Sequence, residues 1–163
     1  MSHPSAVTEL SAADAAKEVA VAPEAAGAAK EAAVGAEAAG IIERFLVASM
    51  VPDPETAAGF MTADVAITFT GGRKFAHPRE TTGFNATRYK WVKKKMERTD
   101  VAPGCGETIV YNTGTLYGEW PDGTPFEGNR YVDCFVVRGG KIVQMDVWND
   151  SAERILTRNG IAG

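Results

Sequence analysis

At 163 residues, with 45% hydrophobic and 23% charged residues, the chain has the length and make-up of one globular domain with a single core. Its net charge of −4 arises in residues 1–40, which hold six acids, two lysines and no arginine, while residues 41–163 carry 15 acids and 15 bases. That balance excludes the basic footprint of a nucleic-acid binder. No apolar run reaches the length of a membrane span, and the N-terminus lacks both a secretory and a mitochondrial leader pattern, so the expected compartment is the cytoplasm.

Residues 1–40 are alanine-dominated and punctuated by Pro4, Pro23, Gly27, Gly35 and Gly40. Alanine favours helix, but a segment without large apolar side chains has little surface to bury, so it reads as a mobile tail with transient helix. The folded domain is expected over 41–163. Ile41, Ile42, Phe45, Leu46 and Ser49 recur at helical spacing and predict a first helix, ended by Pro52 and Pro54. Pro54-Glu55 suits the first turn of a short second helix through Met61. A strand follows over Val65–Thr70, then a loop that contains His77-Pro78.

Phe84, Trp91, Val92 and Met96 suggest a third helix over Asn85–Arg98, with Lys93, Lys94 and Lys95 on its solvated side. Asp100–Gly106 reads as a connector. Three strands close the domain, near Glu107–Glu119, Phe126–Arg138 and Lys141–Asn149, turned at Pro121-Asp122-Gly123 and Gly139-Gly140. Ser151 can cap a short C-terminal helix. This order predicts an α+β domain with three N-terminal helices on one face of a curved antiparallel sheet.

Asp133 is the chemically distinctive residue, an ionisable group on a strand otherwise made of Tyr131, Val132, Cys134, Phe135 and Val136. A carboxyl in such a wall must be paired or used. Strand parity groups it with Tyr131 and Phe135. A bulged turn at Gly140 sets Asp133 opposite Met145, beside Val143, Val147 and Asn149; a two-residue turn sets it opposite Asp146, as a carboxylate pair suited to activating water. The first register is preferred. On the neighbouring strand, Tyr111, Thr113, Thr115 and Tyr117 are assigned to the pocket side. Phe45, Phe69, Trp91, Met145 and Val147 are read as pocket wall, with Thr113 and Asn149 as polar handles. His77, the one histidine of residues 41–163, stands in a loop expected to flank the mouth. Asp133 could instead be structural, satisfied by tyrosine hydroxyls or Arg130. Cys105 and Cys134 have neither zinc-site nor disulfide spacing, and no metal or cofactor site is expected.

Several stretches carry a resemblance. Phe60 and Asp64, the run Gly114-Thr115-Leu116-Tyr117-Gly118-Glu119-Trp120, Asp133-Cys134-Phe135 and Gly140-Lys141-Ile142 resemble the nuclear-transport-factor-2-like (cystatin-like) superfamily. Within it the chain is most similar to SnoaL-like polyketide cyclases and ketosteroid isomerases, over Ile41 to Asp150. The resemblance implies a cone-shaped fold whose pocket lies between sheet and helices, and an acid on the next-to-last strand that matches Asp133. It implies a cofactor-independent lyase, isomerase or cyclase acting by proton transfer on a small, largely apolar carbonyl compound, with Asp133 as its acid or base; His77 and Tyr131, read from their own positions, are the assisting catalytic candidates. It also implies a homodimer through the outer sheet face at Gln144, Asp146 and Trp148. The chain departs from the pattern in carrying Leu116 in place of the cyclases' His. Phe69 and Phe45 stand in place of the isomerases' Asp and Tyr. Thr113, Thr115 and Val147 stand where the epoxide hydrolases need charged residues. Those departures keep open a non-catalytic binding or association domain.

Overall fold

The computed structural model describes the backbone of residues 12–51 and 53–161, with side chains from Glu24 onward in that range. Residues 1–11 of the segment read as a tail, and Pro52, lie outside the described residues. The chain divides into two compact units, Met1–Ala33 and Val34–Gly163. The first is helical from Ala12 onward. Everything below concerns the second.

The elements are α1 (Ala12–Ser49), α2 (Pro54–Ala58), β1 (Met61–Phe69), β2 (Arg73–Phe75), α3 (Pro78–Arg88), β3 (Trp91–Pro103), β4 (Thr108–Glu119), β5 (Pro125–Arg138), β6 (Lys141–Asn149) and α4 (Ser151–Arg158). The strands form one six-stranded sheet in the order β2-β1-β6-β5-β4-β3. All pairings are antiparallel except β1 with β6. This is the α+β architecture that the sequence implies. Each long strand pair contains a register irregularity, at Met96/Arg98, Leu116/Tyr117 and Val136/Val137, and such bulges bend and coil a sheet.

In α1, Gly35, Ala38, Ile42, Phe45 and Leu46 are buried at intervals of three and four, so one stripe of the helix faces the sheet. That stripe begins at Gly35, six residues before Ile41, the start expected from the larger apolar side chains. The buried positions before Ile41 carry only Gly35 and Ala38, which have no apolar signature. Phe45 meets Phe135 edge to face at 5.7 Å between ring centroids, and Phe135 is fully buried. Asp53 opens α2: its Oδ1 accepts from the Glu55 and Thr56 amides, both at 3.2 Å. Ser151 does not cap α4. Its hydroxyl is buried, accepting from the Tyr89 hydroxyl at 2.8 Å and from the Asn129 side-chain amide at 3.2 Å, while Asn149 Oδ1 accepts from the Ser151 amide.

The largest departure from the sequence reading lies between residues 78 and 103. The helix is Pro78–Arg88, and Trp91–Arg98 belongs to β3. Trp91, Lys93 and Lys95 are exposed while Val92, Lys94 and Met96 are partly buried, a period of two rather than 3.6. Pairing along the whole of β4 satisfies the backbone of this segment and overrides its helical spacing. Lys93–Lys95 are therefore not one solvated helix face.

The β3–β4 approach is close. At Gly114 an added Cβ would lie 2.1 Å from the Lys95 carbonyl oxygen, and at Gly118 2.2 Å from that of Trp91. Gly114→Ala is expected to lower stability by about 2 kcal/mol or more, read from the midpoint of urea unfolding. A midpoint equal to wild type would show that β3 yields freely.

Candidate active site

A cavity of about 110 Å³ lies between α1, α2 and α3 and the inner face of the sheet. Its walls reach the surface at Val51, Asp53 and Thr82, which are exposed. Phe45, Leu46 and Ala57 come from the first two helices, and Met61, Ile67 and Phe69 from β1. Leu116, Met145 and Val147 complete an apolar lining, with Tyr131, Asn149 and Tyr89 as its polar edges. Apolar walls of this kind strengthen any charge interaction they enclose.

Two charged groups meet on that wall. Asp133, fully buried, and Lys94, whose side chain is 16% exposed, form an ion pair through Lys94 Nζ and Asp133 Oδ2. Asp133 Oδ1 is buried without a hydrogen-bond partner. Lys94 also sits 4.1 Å from the centre of the Tyr131 ring, a cation–π contact. The topology brings the pair together from separate rungs. Lys94 is opposite Leu116, Asp133 is opposite Asn112, and the intervening inward position of β4 is Gly114, opposite Tyr131. The long Lys94 stem carries its ammonium over the Tyr131 ring to reach Asp133.

The neighbours of Asp133 are themselves engaged. The Tyr131 hydroxyl donates to Asn112 Oδ1 at 2.5 Å, and the Asn112 amide donates to Thr99 Oγ1 at 3.0 Å and the Arg98 carbonyl at 3.3 Å. Arg130 faces outward and pairs with Asp150 at 3.1 Å. So neither a tyrosine hydroxyl nor Arg130 satisfies Asp133; Lys94 does. Burial, together with the Asp133 and Glu97 charges, pushes the Tyr131 phenol well above its ordinary pKa and keeps it protonated.

Several sequence-derived candidates are placed elsewhere. Tyr111, Thr113, Thr115 and Tyr117 lie on the outer face of β4, Tyr111 and Tyr117 each 39% exposed. The inward face carries Val110, Asn112, Gly114, Leu116 and Gly118. The face of β4 assigned to the pocket is thus the outer one. Trp91 is exposed and meets Tyr117 edge to face at 5.9 Å, away from the cavity. Phe135 is in the core beneath the lining. His77 does not line the cavity; it precedes Pro78 at the start of α3, and its Nδ1 accepts from the Arg79 amide at 3.1 Å. Cys134 lies partly buried on the outer sheet face, not in the core, and Cys105 is exposed.

The turn resolves the register in a way neither reading anticipated. Gly139 and Gly140 both have positive φ, at 56° and 73°, and form the two-residue turn, with Arg138 opposite Lys141. An irregularity one step later moves the register, so Asp133 stands opposite Val147 and Phe135 opposite Met145. Met145, Val147 and Asn149 do share the Asp133 face. Asp146 stands opposite Cys134 and accepts from Gln144, so the two acids point to opposite faces and cannot activate one water together.

Lys94 is the residue that sequence reading missed. The alternation Val92-Lys94-Met96 was its signal, outweighed by the helical spacing of Phe84, Trp91 and Met96. Among the described residues, no three His, Cys, Asp or Glu side chains gather into a metal-ligating set.

No protein-family model matches the chain, and no curated protein sequence matches it. Solved structures do match in fold. A SnoaL-like polyketide cyclase, so assigned, from Jannaschia sp. CCS1 superposes with a TM-score of 0.58 at 14% identity, over 75% of this chain and 91% of that one. An NTF2-like protein of unknown function from Burkholderia pseudomallei gives 0.57 at 16% identity, over 71% and 92%. TerC, co-crystallised with polyporic acid, gives 0.53 at 19% identity, over 71% and 95%. The chain thus has the nuclear-transport-factor-2-like, or cystatin-like, fold.

Loss of its water shell is the largest influence on Asp133 and raises its pKa, while the Lys94 ammonium opposes the rise by charge and hydrogen bond. The native state therefore holds this proton to higher pH than the unfolded chain, where the value is about 3.9. Its contribution to stability is present below that value and is lost as pH rises through the native one. Urea midpoints of wild type and Asp133→Asn, compared from pH 3 upward (a range of roughly four units), should show wild type losing ground as pH rises through this window. A constant difference would contradict the assignment.

Proposed function

We propose that the chain is an enzyme, a cofactor-independent lyase, isomerase or cyclase that moves protons on a small, largely apolar carbonyl compound. The observation that carries the reading is Asp133: a wholly buried carboxylate on the cavity wall, one oxygen on Lys94 and the other unpartnered. A buried carboxylate with a free oxygen is a base kept from water, and it gains most by meeting a proton on a carbon beside a carbonyl. As that proton leaves, negative charge grows on the carbonyl oxygen. The Lys94 ammonium, close by in an apolar enclosure, offsets it. Returning the proton to a different carbon isomerises the compound; expelling a leaving group from the enolate eliminates it. Tyr131 serves here as the surface against which Lys94 rests, its hydroxyl being engaged with Asn112. The structural neighbours contribute the fold to this proposal and not the activity.

Turnover of a carbonyl substrate identified by screening should fall by about 10²–10⁴-fold in Asp133→Asn, the usual worth of a positioned acid–base group. The acid limb of kcat/KM for wild type should lie above the ordinary aspartate range, because burial raises this pKa and the base must be ionised to act. Unchanged turnover in a folded Asp133→Asn protein would refute the reading and leave a non-catalytic ligand-binding domain of the same fold.

We further propose that two copies pair through the outer sheet face. Trp148 is 51% exposed there, Gln144 lies beside it, and the exposed Tyr111, Tyr117 and Trp91 extend the same side. Sedimentation should show a dimer that Trp148→Glu dissociates; a wild-type protein that sediments as a monomer would exclude it.

A further inference from the structure

Resting on that acid–base reading and narrowing its substrate class, we propose that Lys94 is a nucleophilic amine that forms an imine with an aldehyde or unhindered ketone. Three placements carry the idea. Lys93 and Lys94 both border the cavity, but of Lys93, Lys94 and Lys95 only Lys94 is partly buried, its backbone amide donating to Met50 Sδ at 3.2 Å. The Nζ rests on the Tyr131 ring and touches a carboxylate whose second oxygen has no partner. And in an apolar enclosure an ammonium–carboxylate pair lies close in energy to the neutral amine–acid pair, because passing one proton removes both charges at once. That passage produces the free amine needed for attack.

The step balances with these two side chains alone. Asp133 takes a proton from the Lys94 ammonium. The Nζ lone pair bonds to the carbonyl carbon as the C=O π pair moves to oxygen, and Asp133 protonates that oxygen to give a carbinolamine. Asp133 then takes a second proton from nitrogen and delivers it to the hydroxyl, which leaves as water while the nitrogen pair closes the C=N bond. In sum, an ammonium and a carbonyl become an iminium and a water, and Asp133 ends as the carboxylate. The iminium withdraws electrons more strongly than the carbonyl it replaces. The regenerated Asp133, already alongside, is then the base for the adjacent carbon.

Benzaldehyde tests this step separately from enolisation, because it has no hydrogen on the carbon beside its carbonyl. The full-length protein is incubated with benzaldehyde and sodium cyanoborohydride, which reduces an iminium to a stable benzylamine, and is then digested and mapped by mass. Lys94 should carry the benzyl group before Lys93 or Lys95 does. Asp133→Asn should slow labelling of Lys94 by about 10²-fold, the low end of acid–base assistance, and leave the surface lysines unchanged. Lys94→Arg, which keeps the charge pair, should abolish the cavity adduct and also turnover. Equal labelling of all three lysines, no labelling of Lys94, or full turnover in Lys94→Arg would overturn the imine. If Asp133→Asn still loses turnover in those cases, the proton-transfer reading stands without it.

Discussion

A carboxylate stripped of water inside an apolar hollow is unfavourable by several kcal/mol unless a partner of opposite charge reaches it. In this protein the partner is Lys94, and meeting Asp133 dictates much of the surrounding architecture. The lysine must come from a strand two places away in the sheet, so β3 has to pair with β4 along nearly its whole length. Between its rung and that of Asp133 stands Gly114, where the backbone of β3 leaves no room for a Cβ. Tyr131 must lie flat beneath the lysine, and the hydroxyl bond to Asn112 holds the ring there. Asn112 in turn is held by Thr99 and Arg98 at the far edge. A buried pair supported this way contributes little to net stability, since desolvation opposes the attraction.

The fold was largely legible in the chain. Alternation over Phe126–Asn149, two turns rich in glycine, and the apolar stripe from Ile41 to Leu46 are strong local signals that agree with one another, and the structure carries each of them. The stretch from Pro78 to Pro103 was not legible in the same way. Trp91, Val92 and Met96 satisfy a helical spacing and a strand alternation almost equally, and the decision falls to hydrogen bonds with Thr108–Glu119, the other arm of the hairpin. Local sequence does not report such pairing.

The site followed the same division. Asp133 stood out because a charge on an apolar strand conflicts with its surroundings, and a conflict is visible in one dimension. Its partner was hidden by company: Lys94 sits between two solvent-facing lysines, and nothing in Lys93-Lys94-Lys95 separates the middle residue from its neighbours. The inward face of β4 was hidden for the opposite reason. Its residues include two glycines, small and silent, while the outer face displays Tyr111 and Tyr117. The register at β6 shows a third kind of limit. Gly139-Gly140 announces a turn, but the shift at Val136/Val137 decides which residues meet, and it carries no glycine or proline of its own.

The parallel pairing of β1 with β6 has a consequence in time. Ile67 lies beside Met145, so the first strand, which meets β2 early on one side, finds its other neighbour only once β6 has been made. During synthesis from the N-terminus, Ile67 and Phe69 emerge early and have no strand of the long meander to lean on. The hairpins β3–β4 and β4–β5, by contrast, close over short distances and can form as they appear. The hollow is therefore sealed by Lys141–Asn149, and a chain that stops short of Lys141 leaves the facing edges of β1 and β5 unpaired.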